Sequence, residues 1–300
     1  MEPMRAVKQL LGWLALFCGA VAGTAQISVV ATTSIIGDVV RQVGGERIAV
    51  IVLIPPGMDP HAFEPTPRDI VTLTHAHVVF INGAGLEEML APVLEIAELR
   101  PKVVDLSAGL PLRTLAADDD HDHGGTDPHV WFDPFLVAEW TRTIETALAA
   151  LDPGGKDTFA SRAQAYREDL VALDRWIQDQ VAAVPPEQRG LVTDHWVLGY
   201  FAARYGFTEA GAIVPGFSPL AEPSARELAA LEDELRQLRV PAVFVSPWFS
   251  PGLATRLAQD TGVRIVILFH ESLTGPDGPA PSYLELMREN VRRIVEALGG

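Results

Sequence analysis

Residues 156–184 form an amphipathic stretch without a single glycine or proline, and this constrains the fold more than any other feature of the chain. Phe159, Ala163, Tyr166, Leu170, Leu173, Ile177 and Val181 recur at spacings of three and four, the period of one helical face. Asp152-Pro153-Gly154-Gly155 opens the stretch and Pro185-Pro186 closes it. A helix over the whole stretch would span ~44 Å at 1.5 Å per residue. It is either a long surface helix or a rigid backbone joining two lobes.

On both sides of it, short β-branched runs alternate with helical patterns. Before it, residues 27–33, 48–53, 78–82 and 103–106 read as strands, and 35–43, 68–76, 86–99 and 134–151 as helices. After it, residues 191–193, 211–214, 242–246 and 264–269 read as strands. Residues 197–205, 224–239, 252–261 and 282–298 read as helices, with Ser224 suited to cap the second. Strands alternating with helices imply a parallel sheet covered on both faces, and these runs are apolar at nearly every position, as doubly buried strands should be. The expected fold class is α/β: two parallel-sheet lobes, residues 26–152 and 187–300, joined by a linking helix within 153–186. Residues 116–128 (AADDDHDHGGTDP) interrupt the pattern. They are too polar to bury a core and read as a flexible acidic loop carrying histidine.

The first 25 residues read as a secretory signal peptide. Arg5 and Lys8 precede an apolar run over 10–23, and Gly23-Thr24-Ala25 offers small residues for cleavage. The run is shorter than the ~20 residues of a membrane span. A lipoprotein at Cys18 is disfavoured by the bulky Phe17 before it. The expected location is therefore extracytoplasmic, in the periplasm, as a soluble chain. The net charge of −16 becomes about −17 once the signal is removed, because Arg5, Lys8 and Glu2 leave with it. So acidic a surface repels phosphate, which excludes nucleic acid as a partner and suits cationic ligands. Cys18 is the only cysteine, so a metal site in the mature chain must use His, Asp and Glu.

Eight histidines are present. His61 stands in a proline-rich turn after the strand at 48–53. His129 stands in Asp127-Pro128-His129 just before a helix. His195 follows the strand at 191–193, and Glu271 follows the strand at 264–269, beside His270. All four occupy loops at strand ends or helix starts, where parallel sheets bind ligands. They are separated by 68, 66 and 76 residues, so no local motif joins them and they meet only if the lobes face each other. Three imidazoles and a carboxylate suit a borderline cation such as Zn²⁺ in a tetrahedral site. For each His, a helix cap or a core hydrogen bond is the plainer alternative, and composition and spacing do not choose between them. His121 and His123, with Asp120 and Asp122, form a possible accessory metal loop, or else a solvated acidic linker.

Ordered segments of the chain resemble the metal-binding proteins of zinc and manganese ABC importers. The segments are residues 56–67 (PGMDPHAFEPTP), 79–87 (VFINGAGLE), 127–134 (DPHVWFDP), 193–206 (TDHWVLGYFAARYG), 222–225 (EPSA) and 283–290 (YLELMREN). The resemblance implies two α/β lobes joined by a long helix, with a metal site in the interdomain cleft. It carries the ligand role to His61, His129, His195 and Glu271. It also implies a solute-binding protein that is not an enzyme, and a partner in a membrane permease with its ATPase. A metallochaperone is a candidate loader, and a monomer is expected. His rather than Glu at position 195 favours Zn²⁺ as cargo, with Mn²⁺ or iron as the alternative. Glu271 departs from the family's usual Asp, and Ser246-Pro247-Trp248 from its frequent Glu-Pro. A periplasmic zinc hydrolase is the rival of a different class, since three His with a weak fourth ligand also describes a catalytic zinc.

Overall fold

The computed structural model describes residues 26–96, 98–115, 125–214, 225–238 and 240–299. The expected signal peptide, the Ser224 cap and the loop residues Asp120, His121, Asp122 and His123 lie outside the described residues.

In the first lobe, β1 (Ile27–Ala31), β2 (Ile48–Val52), β3 (Val78–Ile81) and β4 (Val103–Asp105) form one parallel sheet in the order β2-β1-β3-β4. Register runs from Ile27 opposite Ile48 to Ala31 opposite Val52, and continues with Val29 opposite Val78 and Val79 opposite Val103. Helix α1 (Ser34–Gly44) follows β1, with the Thr33 side chain accepting from Ile36 N. Helix α2 (Pro67–His75) follows β2 and opens with a reciprocal Thr66–Asp69 cap. After β3 the expected helix over 86–99 is broken into a 3-10 turn (Glu88–Leu90) and the one-turn α3 (Ala91–Leu94). Gly83, Ala84 and Gly85 all take positive φ, and the Glu87 carboxylate turns inward to accept from Asn82 N and Gly83 N. The start of the pattern is thereby spent on a tight loop, and Pro92 can join a helix only in its first turn.

A short antiparallel ribbon, β5 (Thr114–Leu115) with β6 (Gly125–Thr126), brackets the acidic insert. The polar pattern predicts a loop reaching residue 128. Instead Gly125 and Thr126 are paired, and Asp127 is buried with its N–H bonded to the Arg113 carbonyl. Helix α4 (Pro134–Leu151) starts on an Asp133 cap with Pro134 in the first turn.

The long helix α5 covers Lys156–Val181, three residues short of the amphipathic pattern. Val184 precedes Pro185, which disfavours helical backbone, so residues 182–184 close as turns. Every residue of the expected apolar face, from Phe159 to Val181, is buried. Helix α5 packs on α1 and α4 of the first lobe and on the closing helix of the second.

In the second lobe, β7 (Gly190–Thr193), β8 (Thr208–Ala212), β9 (Ala242–Val245) and β10 (Arg264–Ile267) form a parallel sheet in the order β10-β9-β7-β8. Strand β8 starts earlier than the expected 211, because Gly206 at φ 72° ends α6 (Gly199–Tyr205) and the chain extends at once. Helices α7 (Ala225–Leu238), α8 (Pro251–Thr261) and α9 (Tyr283–Leu298) complete the lobe. Both sheets share one topology: the first strand has the second on one side and the third, then the fourth, on the other. Chain direction therefore switches beside the carboxyl ends of β1 and β7, where open α/β sheets bind ligands. One buried cluster runs from Val29 and Ile36 through Leu170 and Ile177 to Phe201 and Tyr283, so the lobes share a core across α5.

Candidate metal site

His61, His129, His195 and Glu271, scattered in sequence, converge: one donor atom from each lies within 4.8 Å of the others. Glu271 Oε1 lies 2.8 Å from His61 Nε2, 3.1 Å from His195 Nε2 and 3.5 Å from His129 Nε2. A tetrahedral ion with bonds of ~2.0–2.1 Å requires donor edges of roughly 3.3 Å, and these separations bracket that value. His129, His195 and Glu271 are buried, and His61 keeps 9% of its side-chain surface.

Local sequence aims each ring. His61 and His129 both end an Asp-Pro-His tripeptide, and the Asp Oδ1 accepts the His backbone N–H at 2.8 Å (Asp59) and 3.0 Å (Asp127). Asp127 Oδ1 also lies 2.8 Å from His129 Nδ1. His195 reaches the same result from the adjacent residue, with Asp194 Oδ1 2.8 Å from its Nδ1. A carboxylate on Nδ1 places the proton there and leaves the Nε2 lone pair for an ion. The loop bearing His61 is anchored by Phe63, buried against Leu53, Ile54 and Leu73. Asn82 Nδ2 donates to the Pro128 carbonyl at 2.9 Å and so holds the segment before His129.

The Glu271 loop is tied to the opposite lobe on both sides. Trp131 Nε1 donates to the His270 carbonyl at 2.7 Å, Gly57 N donates to Ser272 Oγ at 2.7 Å, and Leu273 N donates to Ser34 Oγ at 2.9 Å. The extra methylene of Glu271, relative to the aspartate expected from the resemblance, does not keep its carboxylate out of the site.

Charge within the site is compensated internally. Burial alone would lower the pKa of His195, but the Glu271 and Asp194 carboxylates on its two nitrogens push it up to about 10. Burial opposes protonation of His129 too, yet its bonds to Asp127 and Glu271 raise it. Burial would raise the Glu271 carboxyl; the His61 and His195 rings and the bonds from His129 and His195 outweigh this and hold it well below the usual range. Without a cation, His195 lies between two carboxylates that favour its protonated form.

Two residues next to this site did not stand out in the sequence. Asp194 looked like an ordinary residue ahead of a helix, and the adjacent Asp-His pair was the available signal. His270 stands out in the sequence only as Glu271's neighbour; it is completely buried, and burial holds it neutral with a pKa of about 4. Asp133 caps α4 and pairs with Arg204 at 3.3 Å.

Residues 29–297 match the family model described as zinc-uptake complex component A, periplasmic (ZnuA). The manganese-binding lipoprotein MntA of Halalkalibacterium halodurans is 32% identical over 97% of both chains. The iron-binding protein YfeA of Yersinia pestis is 30% identical over 91% of this chain and 87% of its own. Among solved structures, the periplasmic zinc-binding protein TroA of Treponema pallidum superposes with a TM-score of 0.82 at 28% identity, covering 91% of this chain and 99% of that one. A Mn-bound periplasmic metal-binding protein of Candidatus Liberibacter asiaticus gives 0.76 at 25% identity, covering 91% and 100%. Among the described residues, no helix is long and apolar enough to cross a membrane.

Proposed function

The chain belongs to the periplasmic zinc-uptake component A family, made up of solute-binding proteins of ABC importers and not of enzymes, and from that premise we propose that it captures Zn²⁺ outside the cytoplasmic membrane for delivery to a permease and its ATPase. The observation that carries the reading is the convergence of three imidazole Nε2 atoms on one oxygen of Glu271 at 2.8–3.5 Å. In this reading His61, His129, His195 and Glu271 are the ligands. Three nitrogens and one oxygen at tetrahedral spacing suit Zn²⁺ better than Mn²⁺, which favours more oxygens in an octahedral shell.

Binding couples to proton release. Zn²⁺ replaces the His195 proton on Nε2, while Asp194 keeps the proton on Nδ1 and holds the ring in place. Asp127 does the same for His129. Burial on all sides removes water from the ion and strengthens its attraction to Glu271. His61, the one ligand with exposed side-chain surface among the four, is the last to close over an entering ion.

Manganese is the second reading, favoured by a specific feature. Glu271 Oε2 is buried and makes no hydrogen bond, so it is available as a fifth, oxygen donor. Relatives named for manganese and iron fit it as well. A competition titration of the metal-free protein with Zn²⁺ and Mn²⁺ decides between them: the zinc reading requires Zn²⁺ to displace Mn²⁺ at equal concentration. It also requires His61→Ala to weaken Zn²⁺ binding by orders of magnitude with the fold intact by circular dichroism. Unchanged affinity in that variant would remove His61 from the site.

A further inference from the structure

A second group of donors lies behind the first and shares one residue with it. Asp194, His195 and His270 each offer an atom within 4.8 Å of the other two. Asp194 Oδ1 is 2.8 Å from His195 Nδ1 and 3.5 Å from His270 Nδ1, again bracketing the ~3.3 Å edge of a tetrahedral ion. His270 is fully buried, and neither of its ring nitrogens makes a hydrogen bond. A neutral imidazole carries one donor and one acceptor, and buried ones normally use them. The residue is nonetheless firmly placed: its carbonyl accepts from Trp131 Nε1, and its ring stands edge-on to His195 with centroids 5.9 Å apart. The separation is comparable to the 5.3–6.0 Å between the rings of His61, His129 and His195.

We propose that Asp194, His195 and His270 form a second station for a borderline divalent cation, competing with the four-residue site for the same ion because both need His195. The proposal rests on the reading that this chain binds such a cation, and adds where the ion goes when the outer ligands release it. In the four-residue site His195 binds through Nε2 and keeps its proton on Nδ1, donated to Asp194. In the second station it binds through Nδ1 and keeps its proton on Nε2, donated to Glu271 Oε1 3.1 Å away. The ring stays neutral in both; only the tautomer changes. Asp194 Oδ2 accepts from Ser246 N at 2.7 Å, which fixes the carboxylate while Oδ1 faces the ion.

The test uses the full chain carrying His121→Ala and His123→Ala, so that the acidic insert offers no imidazole. His61→Ala and His129→Ala are then added to disable the four-residue site. Co²⁺ is followed by visible absorption and Zn²⁺ by calorimetry. One residual equivalent is expected, at least a hundredfold weaker than in the chain with His61 and His129 intact. Adding His270→Phe or His270→Gln should abolish it. Glutamine keeps hydrogen-bonding capacity but is a poor ligand, so it rescues a structural role and not a ligand role; the metal-free melting temperature shows that each variant folds. A residual equivalent indifferent to both His270 substitutions, or no residual equivalent at all, overturns the second station. Failure of the functional reading looks different: the chain with His61 and His129 intact would then show no tight equivalent.

Discussion

Zinc binding should expel about one proton from His195 at pH 8. In the metal-free protein the Glu271 and Asp194 carboxylates push the His195 pKa up to about 10, so at pH 8 the ring is almost fully protonated. Zn²⁺ needs the Nε2 lone pair and must displace that proton. An ordinary imidazole with a pKa of ~6.5 would release only about 0.03 proton at pH 8. The two cases differ by more than an order of magnitude. His129, also raised, adds to the count.

Calorimetric titration in two buffers of different ionisation enthalpy counts the protons directly. Displacing the proton weakens zinc at pH 8 by about a hundredfold, or about 3 kcal/mol, so affinity should climb roughly tenfold per pH unit from His195 alone until pH approaches 10. Asp194→Asn removes one of the two carboxylates and should reduce both the proton count and the slope. The sign for the metal-free fold is opposite. His195 has a raised pKa, so its ion pairs stabilise the fold fully below ~6.5 and are lost as pH rises through about 10. The metal-free melting temperature should therefore drop between pH 8 and 10. A proton count near zero at pH 8 would refute the reasoning, because His195 would then already be neutral between its carboxylates.

His195→Glu should shift the Zn²⁺/Mn²⁺ preference toward Mn²⁺ in a competition titration, because a hard oxygen replaces a borderline nitrogen. Zn²⁺ should raise the melting temperature more than Mn²⁺ at equal concentration, with ~4 kcal/mol of stabilisation at a thousand times Kd; equal shifts would count against zinc. Glu87 is buried, and burial raises its pKa to about 7 despite bonds from Thr32, Asn82 and Gly83. The native state thus holds this proton where the unfolded chain has lost it, so stability falls as pH rises from about 4.5 to 7, by about 3 kcal/mol. Glu87→Gln should flatten that part of the pH profile in urea unfolding. Leu170→Ala, at a fully buried position of α5, should cost about 2–5 kcal/mol and shift one common transition, read by a tryptophan in each lobe.

The fold was legible where a pattern was long or repeated. The α5 face from Phe159 to Val181 is buried at every expected position, and both strand series form parallel sheets. Legibility failed where a side chain overrode the local pattern. Glu87, at a nominal helix start, instead turns inward and closes the preceding loop with its three successive positive φ values, a choice made by hydrogen bonds from Asn82 and Gly83 and invisible to periodicity. The four converging residues could be named because each follows a strand or precedes a helix and because the segments resemble a known family. Their meeting depends on how the lobes face each other, which spacing does not encode. Asp194 and His270 were missed for a further reason: their significance lies in what surrounds them, and an acid or an imidazole in sequence says nothing about burial.

The shared core also bears on how an ion enters. A hinge that parted α5 from α9 would open the core that the lobes share across α5, at ~1.5–3 kcal/mol for each large apolar side chain fully uncovered. Several such side chains would together cost as much as a typical domain's whole stability of ~5–15 kcal/mol. Moving the His61 loop costs far less. It breaks the Gly57–Ser272 hydrogen bond, worth ~0.5–1.5 kcal/mol, and at most uncovers the single buried anchor Phe63, at ~1.5–3 kcal/mol, rather than several core side chains. The tight linkage of the Glu271 loop to Trp131 and Ser34 argues the same way, since those bonds cross between the lobes and would all break in a hinge opening. The lower-energy route therefore passes over His61, with the deeper residues His129, His195 and Glu271 held in place by both lobes while the outer loop opens and closes.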